Sequence, residues 1–297
     1  MNTSAFLLIL LSCGLHASWN FLSKKNTPSC GFFFLTNIAA VIATAPFTFF
    51  GPVDYTTLSL DFWMMVFFSV LCEIAYILSL ANGYRKAEIS FFYPMARSLP
   101  VLFTFGLSTM LGVGKSLSVP AMIGMVLVTS GCIILPMQSF KKLRFKDYWN
   151  STTPYVLLGA CGTTGYTMFD SAACNYLYKL DGMNRSLAAL SYFGVIEIGI
   201  LIGMSIIQLC SSTERKNAAM LYKNPAPYFS GFFSVLAYGM VLIAMGMVSN
   251  VSYIQAFRQL SLPIGVVLGI ILLHEKVTLP KLIGVVILIT GLMLTAF

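Results

Sequence analysis

The sequence predicts an all-α, polytopic membrane protein whose ten transmembrane helices form two inverted five-helix repeats. Three observations lead there. Charge is too scarce for a water-facing surface, apolar runs recur from end to end, and a set of polar landmarks returns in the same order in the second half.

Of the 297 residues, 58% are hydrophobic and 9% charged, whereas soluble domains carry roughly 25% charged residues. Apolar runs of about 18 or more residues, each enough to cross a hydrocarbon core of roughly 30 Å, occupy about 4–22, 30–50, 62–83, 88–111, 118–136, 154–177, 186–209, 227–248, 251–273 and 279–296. These spans read as helices, because barrel strands are segments of about ten alternating residues. LLSCG, ending at Gly14, resembles a lipoprotein cleavage site. No basic residue precedes it and the run continues into HASW, so the first span is read as a retained helix.

The net charge of +8 has two meanings to separate, attraction to an anionic partner and membrane topology. Lys24, Lys25, Arg85, Lys86, Lys141, Lys142, Arg144, Lys146, Arg215, Lys216, Lys223, Lys276 and Lys281 lie on the side reached after odd-numbered spans, against Lys115, Lys179 and Arg185 on the other. By the positive-inside rule the first side is cytoplasmic, which places both termini outside a cell membrane. The charge thus reports topology, and no nucleic-acid partner is expected. Seven scattered cysteines without a C-x-x-C pair, and two histidines, support neither a disulfide framework nor a metal site.

KKLRFKDYWNSTT, 141–153, is the longest hydrophilic break and divides the chain into a first repeat at 4–136, a cytoplasmic linker at 137–153 and a second repeat at 154–297. In the first half Ala75-Tyr76 is followed 21 residues after the tyrosine by Arg97, then by Pro120; in the second, Ala237-Tyr238 is followed after 20 residues by Arg258, then by Pro280. Ile123, Gly124, Val126 and Gly131 match Ile283, Gly284, Val286 and Gly291 at an offset of 160, a weaker signal because such residues abound in membrane helices. Repeats with an odd number of spans must be inverted, which places a site between the halves.

At 1.5 Å per residue, Arg97 and Arg258 lie about 15 Å and about 12 Å deep, approaching the middle from opposite faces. An intramembrane arginine costs at least about 2.5–3.5 kcal/mol on insertion scales. Each is therefore expected either to lock onto an acid or helix-end carbonyls, or to line a polar path. Glu73, Asp170 and Glu197 are the carboxylates inside spans. Glu73 shares a helix face with Tyr76, and Asp170 follows Tyr166 by one turn, so these acid and phenol pairs suit a substrate amine or a proton, or else neutralise the arginines. Glu197 reads as structural. His16 is a substrate contact, a proton relay or an interhelix hydrogen bond, while Trp19 and Asn20 read as interfacial anchors. Tyr93, Tyr253 and Gln255 lie near the arginines. Pro94, Pro100 and Pro263 loosen the backbone beside them.

HASWNFLSK at 16–24, YPMARSLPV at 93–101, YTMFD at 166–170 and the ending FRQLSLPIGVVLGIILLHEKVTLPKLIGVVILITG at 257–291 resemble segments of the drug/metabolite transporter superfamily, in particular EamA-type ten-helix carriers. The resemblance covers essentially the whole chain as two EamA units. It implies a secondary carrier with a central cavity formed mainly by spans 1, 3, 4, 6, 8 and 9, and it places His16, Arg97, Asp170 and Arg258 at signature positions. Where the family commonly has glycine before the acid after span 9, this chain has His274 before Glu275. The expectation is a transporter of a small polar organic metabolite, an amino acid or organic anion, coupled to protons or another ion and needing no cofactor. The competing readings are a membrane-embedded enzyme or sensor acting on lipid, and a passive channel. No G-x-S-x-G, H-E-x-x-H or phosphate-cradling loop is present, so no catalytic residue is assigned.

Overall fold

The computed structural model describes residues 3–26, 28–86, 89–137, 139–140, 150–180, 182–273 and 277–296, and these are all-helical. The helices are α1 (Thr3–Lys25), α2 (Cys30–Phe50), α3 (Leu60–Lys86), α4 (Ile89–Met110), α5 (Val119–Ile134), α6 (Thr153–Leu177), α7 (Arg185–Cys210), α8 (Ser212–Leu221), α9 (Pro225–Met245), α10 (Val251–Phe257), α11 (Ser261–Leu273) and α12 (Leu279–Thr295). Five of them, α1, α2, α3, α7 and α9, are long and apolar enough to cross a membrane; α5 and α12 are apolar but shorter. Large apolar side chains such as Phe49, Phe50, Met110 and Leu209 stand on the outside of the bundle.

Helix starts follow from local chemistry. Ser118 and Thr278 cap α5 and α12 by accepting backbone N–H bonds, with Pro120 and Pro280 in the first turn, where a missing N–H breaks no helical bond. The two landmark prolines are therefore helix starters. Asn184 and Asn224 cap α7 and α9 in the same way.

Two features depart from the sequence expectation. The loop after the seventh span contains α8, capped by Ser211, whose hydroxyl accepts from the Glu214 N–H. The ninth span is broken: α10 ends at Phe257, residues Arg258–Leu260 form a 3₁₀ turn, and α11 begins at Ser261. Pro263 explains the break, since it has no N–H for the Gln259 carbonyl and its ring crowds the preceding turn.

The main contacts join the two halves of the chain. α1 packs on α9 and α3 on α6, α2 meets α7, and α5 meets α12; α4 packs on α6 and α10, while α1 packs on α11 and the 3₁₀ turn. The α5–α12 crossing depends on four glycines. A Cβ on Gly124 would lie 2.5 Å from the Gly291 carbonyl oxygen, and one on Gly291 would lie 2.7 Å from that of Gly124. Gly131 and Gly284 face each other likewise, at 2.7 and 3.0 Å. Only hydrogen at these positions lets the backbones touch.

Candidate functional site

A cavity between the helices has an empty volume of about 680 Å³ counted out through its mouth, and it is lined by His16 and Trp19 of α1, Thr36 and Asn37 of α2, Glu73 and Tyr76 of α3, Tyr166 of α6, Phe193 and Glu197 of α7, Ser234 and Tyr238 of α9, and Arg258 of the 3₁₀ turn, with Phe33, Ala40, Ile77, Leu80 and Ile200 as apolar walls.

The break between α10 and α11 positions Arg258. The turn carries its guanidinium, 3% exposed as a residue, to the cavity, where one nitrogen donates to the Tyr166 hydroxyl at 3.1 Å and another to Gln255 Oε1 at 3.4 Å. The cation also lies over the rings of Tyr166 and Tyr238, 5.8 and 5.3 Å from their centroids. Tyr76, Tyr166 and Tyr238 form a chain of edge-to-face contacts at 5.9 and 5.6 Å that holds this cage in shape. Among the described residues no carboxylate comes within 4.0 Å of Arg258; the ion pair they form, Arg85–Glu214, lies elsewhere. Arg258 thus presents its charge to the cavity through neutral partners.

Arg97 has a different surrounding. It is 2% exposed and is not among the lining residues. It donates to the Arg258 carbonyl at 3.0 Å, to Ser261 Oγ at 3.3 Å and to Gln259 Oε1 at 3.5 Å. These bonds tie Arg97 to the broken helix, the first of the two arrangements open to an intramembrane arginine. No described side chain of α4 lines the cavity, whereas α2 and α7 do, so the walls differ from the set of spans that the resemblance implies.

Asp170 lies behind the wall. It is 0% exposed and accepts from the hydroxyls of Ser69, Tyr192 (2.6 Å) and Tyr238. Three hydroxyl donors hold the carboxylate, so it braces Tyr238 and does not line the cavity. Glu73, half-buried, does line the cavity. Tyr253 is half-buried and not among the lining residues, and the side chain of Tyr93 lies outside the described residues, as do His274 and Glu275.

The sequence reading missed the opposite pair. Asn37 donates through Nδ2 to Glu197 Oε2 and, at 3.3 Å, to the Glu197 carbonyl. Both partners are acceptors, which fixes the amide orientation and leaves Asn37 Oδ1 buried and without a partner among the described residues. Asn37 and Glu197 stand 160 residues apart, the same offset that relates the matching glycines of the two halves, and that spacing is the one mark the sequence carried of this contact. Trp19, read as an interfacial anchor, is 6% exposed and lines the cavity, its indole N–H donating to His16 Nδ1 at 3.1 Å.

No family model and no curated protein matches the chain. Among solved structures, one crystal structure superposes with a TM-score of 0.68, covering 99% of this chain and 96% of the other at 12% identity. That likeness concerns the fold alone.

Proposed function

We propose that the chain is a secondary active transporter of the EamA type within the drug/metabolite transporter superfamily, carrying a small zwitterionic metabolite such as an amino acid by alternating access. In this reading the chain spans a cell membrane ten times as two inverted repeats, with both termini outside, and the gradient of protons or another ion drives it. The packing supports the repeat. Exchanging the halves turns the α1–α9 contact into α6–α3 and leaves α2–α7 and α5–α12 as self-pairs, and the offset of 160 maps the Gly124–Gly291 contact onto Gly284–Gly131. Inverted-repeat carriers place their solute between such halves.

The observation that carries the reading is the division of labour in the cavity. Arg258 offers forked N–H donors and a charge with no described carboxylate within 4.0 Å, as a substrate carboxylate requires. Glu73, Glu197 and the buried, unpartnered Asn37 Oδ1 offer acceptors, as an ammonium requires. A zwitterion satisfies both sets at once, and the aromatic walls accept an apolar side chain.

Purified protein in sealed vesicles, preloaded with a pool of neutral amino acids, tests this. Saturable counterflow of a labelled amino acid is expected. Linear, unsaturable flux would favour a channel, and conversion of lipid without solute movement would favour an enzyme.

A further inference from the structure

One buried polar atom of a cavity-lining residue has a proton whose place can be deduced. Trp19 and His16 sit three residues apart on α1, so their side chains share a face. The indole Nε1–H of Trp19 donates to His16 Nδ1 at 3.1 Å, with the rings edge to face at 5.2 Å. An indole nitrogen is a donor only. The Nδ1 lone pair must therefore be free to accept, and in the neutral ring the proton sits on Nε2. His16 is 6% exposed, and Nε2 is buried with no partner among the described residues. A donor in that position is either wasted or waiting for an acceptor. Its location favours the second. Cys13, one turn earlier on the same face, meets the Phe257 and Arg258 carbonyls at 3.6 Å each, so this part of α1 packs on the turn that carries Arg258. Both His16 and Arg258 line the cavity.

We infer that Trp19 locks His16 as a neutral imidazole with its proton on Nε2, a fixed hydrogen-bond donor that joins Arg258 in holding the carboxylate of the solute. Of the roles open to His16 in the sequence, this selects solute contact over proton relay, because a second proton on Nδ1 would expel the Trp19 bond. Trp19 is then a positioning residue: it sets the tautomer without delivering the bond itself. The part concerning the solute rests on the transporter reading, whereas the tautomer does not.

The test is ¹⁵N NMR of the full chain, labelled at histidine, with His274→Asn assigning the resonances. The solute-free protein is expected to show His16 in the Nε2–H form alone, and Trp19→Phe is expected to give a mixture of tautomers with the fold retained. An Nδ1–H or doubly protonated His16, or a tautomer indifferent to Trp19→Phe, would overturn the lock whether or not anything is transported. A pool of neutral amino acids should then shift the Nε2 resonance, while the matching pool of decarboxylated amines should not; equal responses, or silence to both, would overturn the contact. His16→Leu is expected to weaken binding of the amino-acid pool by about tenfold. His16→Gln, which keeps an N–H near the Nε2 position, should restore much of it. Equal losses in the two variants would point to a packing role.

Discussion

The guanidinium of Arg97 donates to the backbone carbonyl of Arg258 at 3.0 Å. The two arginines that sequence spacing pairs are thus joined directly, yet unequally: one holds the other's backbone in place, and the second turns its own charge to the cavity. Arg97→Met should therefore strip donors from buried carbonyl and hydroxyl oxygens and cost about 1–3 kcal/mol of stability. Protein that remains folded should still bind solute, though more weakly as the turn loosens. A thermal melt paired with a binding measurement on the folded fraction separates the two effects, and unchanged melting would contradict the capping role.

The glycine crossing predicts a steric failure. Gly291→Val would drive side-chain atoms into the Gly124 carbonyl and the Val128 N–H, both within 2.7 Å of a Cβ there. Overpacking of this kind costs about 1–3 kcal/mol or more, and loss of a monodisperse peak on size exclusion is expected. Gly14→Ala is the control, because nothing lies within 4 Å of its added Cβ.

Asp170 depends on its hydroxyl donors. Tyr192→Phe removes the bond at 2.6 Å from a fully buried carboxylate. A loss of about 1–3 kcal/mol should follow. Ser69→Ala should act in the same direction, and the two together should cost less than the sum of the parts, since both serve one oxygen. Additive melting shifts in a double-mutant cycle would argue against a shared network.

Outside the spans, Glu214 ties three elements together. Its carboxylate accepts from the Gly31 N–H at 3.0 Å, from Arg85 at 2.5 Å and from Asn217 at 3.3 Å. Burial alone would raise its pKa, but the Arg85 hydrogen bond, the bonds from Gly31 and Asn217 and the Arg85 charge together outweigh that and hold it below the ordinary carboxylate value. A carboxyl depressed on folding contributes stability that is present above its unfolded pKa and lost as pH falls through the folded one. Glu214→Gln should consequently lower the melting point at neutral pH, with the gap to wild type closing as pH falls below the ordinary carboxylate range. Arg85 is 38% exposed, so solvent screens its part and salt should shrink the effect only partly. A gap independent of pH would contradict this.

The all-helical character and several helices of bilayer length were legible, because apolar runs and capping residues act locally. The break at Arg258–Leu260 was half legible: Pro263 warned of it, but its place depends on Arg97 reaching across from α4. The four glycines carried weak statistical weight in the sequence and decisive weight in space, since only their mutual contact distinguishes them from common membrane glycines. Asn37 and Glu197 were marked only by their spacing, which equals the offset of 160 between the glycine matches, while their unlike residue types hid the correspondence. Trp19 was misread for a related reason, since depth along a helix says nothing about which way the ring faces.

In the proposed transporter Arg258 is the cationic seat of the central cavity. Counterflow of a labelled neutral amino acid, measured side by side for wild type and Arg258→Gln in vesicles holding equal amounts of folded protein, tests it most directly. Saturable exchange by the wild type with at least a tenfold loss in the variant is the result expected. Undiminished exchange by Arg258→Gln would contradict it.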